Sequence, residues 1–154
     1  RGFACLPDFT RCVSLDQNLL VRCLPGYAPP AHPVYLSFGP GARRLDRDPK
    51  LRAVMGAEAM LVPLASCADG HTVIEVNPVS PTRVYHLVCE EHETLLVAGL
   101  EIESFHPGPE TPISLPEEML ALFMKFFPHM TSVRDFGRLA TPRITADELS
   151  NIRG

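Results

Sequence analysis

Apolar and β-branched positions are concentrated between Ala59 and Phe105, and that stretch sets the expected architecture. Thr72-Val73-Ile74-Glu75-Val76 and residues 82–89 combine β-branched and aromatic side chains, which suit a pleated, half-buried surface. Between them, Asn77-Pro78-Val79-Ser80-Pro81 holds two prolines that fix φ and lack a backbone donor, so neither strand runs through it. The pattern predicts a β-hairpin turning about Val79. A third strand over residues 94–98 follows the acidic corner Glu90-Glu91-His92-Glu93, with Gly99 expected to bend or bulge it before residues 100–105 continue. Residues 60–64 add a fourth strand. Together they predict a meander-like antiparallel sheet that needs cover on both faces.

Flanking this stretch, residues 19–24 and 34–38 also read as strands. The segment 25–33 separates them, and its four prolines forbid regular pairing. Residues 1–14 show no clean period and read as an extended arm. Asp48-Pro49 fits an N-cap followed by proline at the first helical position, with Gly56 as the stop. Ser114-Leu115-Pro116-Glu117 reads as a capping box opening a helix over residues 115–127. Leu115, Met119, Leu122, Phe123 and Phe126 share one face of it, widened by Leu120, Met124 and Phe127; such a helix is buried on two sides or covers a partner. A turn of helix is expected over residues 132–136. A second capping box, Thr145-Ala146-Asp147-Glu148, opens a short polar helix to Ile152, whose weak apolar face suggests a loosely docked end.

These elements predict one domain over residues 1–154: an extended arm (1–18), a β-rich body (19–105) and a Pro-rich loop with a helical C-terminal part (106–154). The expected class is α+β with β dominant, an antiparallel sandwich or distorted barrel of short strands with one main C-terminal helix packed on it. The absence of βαβ alternation argues against a doubly wound fold. The 16 prolines are spread along the chain as turn punctuation for many short elements. A net charge of -4 argues against binding nucleic acid by phosphate neutralisation. No apolar run approaches the roughly 20 residues that span a bilayer. The chain starts at Arg1-Gly2 without an initiator Met, so it reads as a piece of something longer. Five cysteines at irregular spacing suggest reduced thiols and an intracellular setting, cytoplasm or nucleus.

The sharpest chemical constellation is Cys67-x3-His71 with Cys89-x2-His92. If the hairpin turns about Val79, the two pairs meet at one end, and two thiolates with two imidazoles suit tetrahedral zinc. The spacing matches no standard finger, and a strand cysteine is more often a buried apolar filler. A cysteine nucleophile at Cys67 or Cys89 needs an electropositive setting, whereas Glu90, Glu91 and Glu93 surround Cys89. Glu101 and Glu103 alternate with Leu100 and Ile102 and read as a solvated face. Gly39-Pro40-Gly41 before Arg43-Arg44 lacks the GK[ST] of a phosphate-binding loop. Arg43, Arg44, Arg47, Lys50 and Arg52, interrupted by Asp46 and Asp48, read as mixed surface. HExxH, GxSxG and GxGxxG are all missing. The expected function is a non-enzymatic protein-interaction or regulatory domain that binds another protein or itself. Its surface would comprise Met119, Phe123, Phe126 and Phe127 of the helix, with Tyr27 and His106 from the Pro-rich loops. The alternatives are a zinc-stabilised domain built on Cys67, His71, Cys89 and His92, and a cysteine-nucleophile enzyme; no cofactor other than that zinc is expected.

Overall fold

Antiparallel pairing divides the strands among three separate sheets. The computed structural model describes residues 36–109 and 115–154, and the backbone of residues 9–17 and 20–23. In chain order these form β1 (Phe9–Gln17), β2 (Leu20–Cys23), β3 (Leu36–Phe38), β4 (Arg43–Asp46), α1 (Pro49–Met55), β5 (Met60–Pro63), β6 (Val73–Val76), β7 (Thr82–Cys89), β8 (Thr94–Val97), β9 (Leu100–Glu103), α2 (Glu117–Met124) and α3 (Ala146–Arg153). Two 3₁₀ turns, Ala65–Cys67 and Val133–Phe136, complete the set. The sheets run β1-β7, β3-β2-β6 and β5-β4-β9-β8. Among the described residues the fold is therefore mixed α+β, with an open four-stranded antiparallel sheet and three helices, and no barrel closes.

The meander predicted for the central stretch does not form. β6 pairs with β2, from Leu20↔Val76 to Cys23↔Val73, while β7 pairs with β1 from Gln17↔Thr82 to Phe9↔Cys89. A tight hairpin would join β6 to β7 by one short ladder. The ladder with β1 instead engages all of β7, so the described part of the segment expected as an extended arm, residues 9–17, is a paired strand. The proline-bearing connection, residues 77–81, does not force the chain straight back. At residues 98–99 the opposite holds. Ala98 (φ 48°) and Gly99 (φ 83°) both take positive φ, which makes a two-residue reversal pairing β8 with β9 rather than a bulge. β4 was masked in the sequence by its arginines, yet it is the strand on which the largest sheet turns, with β5 on one side and β9 on the other.

Local capping signals translate directly. The Asp48 carboxylate accepts from the Lys50 N–H at 2.9 Å, Pro49 starts α1, and Gly56 ends it at φ 69°. The Thr145 hydroxyl accepts from the Glu148 N–H at 3.2 Å while the Glu148 carboxylate accepts from the Thr145 N–H at 2.8 Å. Helix α2 is shorter than expected. Residues 125–127 donate back to the carbonyls of Leu122, Phe123 and Met124, tightening the last turn before Pro128. That turn carries Phe127 inward, where it packs with Val88 and Phe136 against Phe105 and Phe123. Ser114 of the expected cap and the loop 25–33 lie outside the described residues.

The C-terminal helix is not loosely docked. Ile144 and Leu149 are each 1% exposed and pack with Leu51, Met60 and Val62. The segment before α3 is also hydrogen-bonded to β5: the Leu61 N–H donates to the Pro142 carbonyl at 2.9 Å, and the Ile144 N–H to the Leu61 carbonyl at 3.1 Å. Arg43 donates to the Ile144 carbonyl at 2.8 Å, and Arg153 donates to Asp46 at 2.7 Å. One buried leucine per two turns, with an isoleucine just ahead of the cap, is enough to anchor a helix that is otherwise polar. Ile144→Ala or Leu149→Ala is expected to lower stability by about 2–5 kcal/mol in urea denaturation, as buried aliphatic truncations do. A loss under about 0.5 kcal/mol, typical of surface positions, would mean the tail is only loosely attached.

Candidate functional site

A buried polar network links three parts of the chain. His92 lies in the turn between β7 and β8, Glu103 ends β9, and Arg143 lies just ahead of α3. One oxygen of Glu103 accepts from His92 Nε2 at 2.8 Å and from Arg143 Nε at 2.7 Å. The Ala140 N–H donates to His92 Nδ1 at 2.9 Å, so the ring proton sits on Nε2, facing the carboxylate. His106 repeats the arrangement: its Nδ1 accepts from the Gly108 N–H at 2.9 Å and its Nε2–H faces the Gly137 carbonyl at 3.3 Å. The two imidazoles meet edge to face, 5.2 Å between centroids. Burial alone would raise the Glu103 pKa, but the hydrogen bonds from His92 and Arg143 outweigh it and hold the group below the usual carboxylate range. Gly108 has φ +90°, and a Cβ there would stand 2.7 Å from Arg143 Nη1, so the bend needs glycine. Arg143 Nη2 in turn donates to the His106 carbonyl at 2.8 Å.

Beside this network opens a largely apolar cavity of about 690 Å³. Its walls come from β3 (Leu36, Phe38), β7 (Val84, Leu87) and β8 (Leu95, Val97), with Phe105 after β9. Among the described strands these are edges: β3 and β8 end their sheets, and β7 pairs with β1 alone. One wall is charged, where Arg43 and Arg143 stand with Glu103. Burial first, then the nearby Arg143 guanidinium, lowers the pKa of Arg43, with Glu103 acting the other way. His86 also lines the cavity, its ring edge-on to Phe105 at 5.8 Å, and burial pushes its imidazole below the ordinary range.

The structure separates the residues expected to bind zinc. With β6 and β7 in different sheets, the hairpin that would have brought the two Cys–His pairs together does not exist. Cys67 sits in a 3₁₀ turn, packed between two core clusters, its Sγ donating to the Pro63 carbonyl at 3.7 Å. His71 lies in an exposed bend, its N–H donating to Asp69 at 2.8 Å. Cys89 is buried at the end of β7, and His92 faces Glu103. Among the described residues no group of three His, Cys, Asp or Glu side chains is placed to hold a metal. Of the expected partner-binding residues, Met119 (53% exposed) and Phe126 (50%) face solvent. Phe123 is half-buried in the aromatic cluster, Phe127 and His106 are buried, and Tyr27 lies outside the described residues. Glu103 was read as solvated and is in fact 6% exposed, whereas Glu101 pairs with Arg47 near the surface. Nothing in the local spacing ties Glu103 to Arg143, which lies 40 positions away.

The histidines give the fold a pH dependence with a definite sign. His86 and His106 both titrate below their ordinary value of 6.5, chiefly through burial. The folded chain then binds fewer protons than the unfolded one just below pH 6.5, so stability is complete above that value and declines as pH falls through the folded pKa values. Glu103, held below 4.5, adds a second loss at still lower pH. Urea midpoints should fall between about pH 7 and 5, and His106→Asn should flatten part of that fall. A midpoint level across the interval would contradict the network as drawn.

The model of the Hint domain family matches residues 16–109, from the end of β1 to the bend after β9. No curated protein and no solved structure matches the chain. The match takes in the strands that wall the cavity and three members of the polar network, His92, Glu103 and His106, and it covers more than half of the sequence. The chain belongs to the Hint domain family, which is typical of autoprocessing and intein-like domains.

Proposed function

We propose that this Hint domain binds an extended stretch of polypeptide in the cavity between β3, β7 and β8. The observation that carries the reading is the meeting of strand edges from three sheets around one apolar cavity of about 690 Å³. An edge strand offers unpaired N–H and C=O groups, and an extended peptide adds to it by backbone hydrogen bonds while its alternate side chains fill pockets. The volume lies within the roughly 300–1,000 Å³ usual for ligand sites. The polar network supports this role by fixing the wall behind the cavity, since its hydrogen bonds are made within the fold.

Membership in a family typical of autoprocessing favours a second reading, attack on the chain's own backbone by a side-chain nucleophile. His86 suits the base, because burial favours its uncharged form and it faces the cavity. Among the described residues, Cys67 and Cys89 do not line that cavity, and the Ser104 hydroxyl is engaged by the Glu93 N–H at 3.0 Å. The apolar lining and the strand edges around it make binding the reading the geometry supports best.

The test uses a fluorescein-labelled pentapeptide, Val-Leu-Val-Phe-Val, titrated by anisotropy. Saturable binding that Val97→Glu weakens by about tenfold or more, with circular dichroism unchanged, is the expected result. Equal binding to both proteins would move the site elsewhere. Intact mass followed over days, with and without hydroxylamine, tests the second reading, which requires cleavage at a defined bond that His86→Gln slows.

A further inference from the structure

We infer that the bound segment ends inside the cavity, with its terminal carboxylate set against Arg43 and Arg143. This rests on the polypeptide-binding reading and specifies which part of a polypeptide the site takes.

The cavity's charged wall is unbalanced. Two guanidiniums stand there with one carboxylate, and that carboxylate is already shared between Arg143 Nε and His92 Nε2. Arg43 meets only carbonyl oxygens among the described residues, those of Ile144 at 2.8 Å and Leu61 at 3.3 Å, both through Nη1. A guanidinium presents five donors in a planar fork, so Arg43 keeps donors beyond these two bonds. The shift in Arg43 has the same origin: it is partly desolvated and stands near a second cation. An anion entering the cavity would relieve both, and an Arg–carboxylate contact in such a setting is stronger than one in open water.

Arg83 adds a further guanidinium to the lining, and most of the remaining wall is aliphatic or aromatic, so the ligand that fits is an apolar body bearing a negative group. Among the described strands β3 and β8 end their sheets, which favours a peptide backbone over a bare hydrocarbon chain. A chain terminus suits this wall because its α-carboxylate supplies one negative charge at the end of an otherwise apolar segment, and backbone segments are joined to one another beside the arginines. The Phe105 N–H donates to the Leu87 carbonyl at 2.7 Å, joining β7 to the segment after β9. Arg143 Nη2 holds the His106 carbonyl, and residues 142–144 are hydrogen-bonded to Leu61. A segment that stops at the guanidiniums places its α-carboxylate at the positive wall.

The experiment compares four probes on the intact protein: the labelled Val-Leu-Val-Phe-Val as free acid, the same peptide as C-terminal amide, an amide carrying an internal glutamate, and tetradecanoate. Wild-type protein labelled at leucine and valine methyls reports whether Leu95 and Val97 shift. The expected result is that the free acid binds about tenfold or more tighter than either amide, shifts those methyls, and loses most of its advantage in Arg43→Met. Should Arg43→Met fail to fold, the wild-type comparison of acid with amide still decides. Acid and plain amide binding alike, with the methyls shifted, would overturn the terminal-carboxylate inference and leave peptide binding standing. The glutamate amide matching the free acid would overturn it in favour of an internal acidic residue. Tetradecanoate binding while no peptide binds would overturn both readings.

Discussion

A buried carboxylate needs donors, and Glu103 obtains two on one oxygen by drawing in two other pieces of chain. Its side chain is 6% exposed, with His92 and Arg143 both donating to the same oxygen. Leaving such a charge buried without one partner costs several kcal/mol, so the three groups stand or fall as a unit. The constraint also spreads outward. His92 can donate to Glu103 only because the Ala140 N–H occupies its other nitrogen, and Arg143 also holds the His106 carbonyl. Ala140 and Arg143 are thereby tied to the segments that flank and end the β8–β9 hairpin, and α3 follows just after them.

This constraint explains why the domain, as folded, extends beyond the region that matches the Hint family. The match stops at residue 109, yet Ile144 and Leu149 complete the core around Leu51, Met60 and Val62, and Phe127 and Phe136 complete the one around Val88. It also explains the shape of the cavity. Arg143 is at once a partner of Glu103 and part of the charged wall, so the network that closes the core also positions the groups a ligand would meet.

What the sequence made legible was local. The Asp48-Pro49 start and Gly56 stop of α1, and the capping box at Thr145, depend on residues within four positions of one another, and each is found as read. Strand pairing was not legible. Phe9–Gln17 and Thr82–Cys89 carry nothing in their own spacing that says they pair, and the apolar run of residues 72–89 invited a nearer partner. Alternation misled at Glu103, because the solvent face of a strand stops being one when a later segment covers it. β4 was hidden by arginines whose stems pack while their heads find carbonyls and carboxylates. Cys67 and His71 looked like ligands because thiols and imidazoles are rare. Here Cys67 fills apolar space and His71 sits in a turn organised by Asp69.

The most direct measurement is a double-mutant cycle on Glu103→Gln and Arg143→Met, read by equilibrium denaturation at a pH above the histidine titrations. If one buried network joins the Hint-matching body to the C-terminal segment, the two losses will fall short of additivity by about 1–3 kcal/mol. Additivity to within about 0.5 kcal/mol would show that the segment is held by its apolar contacts alone, and would contradict the account.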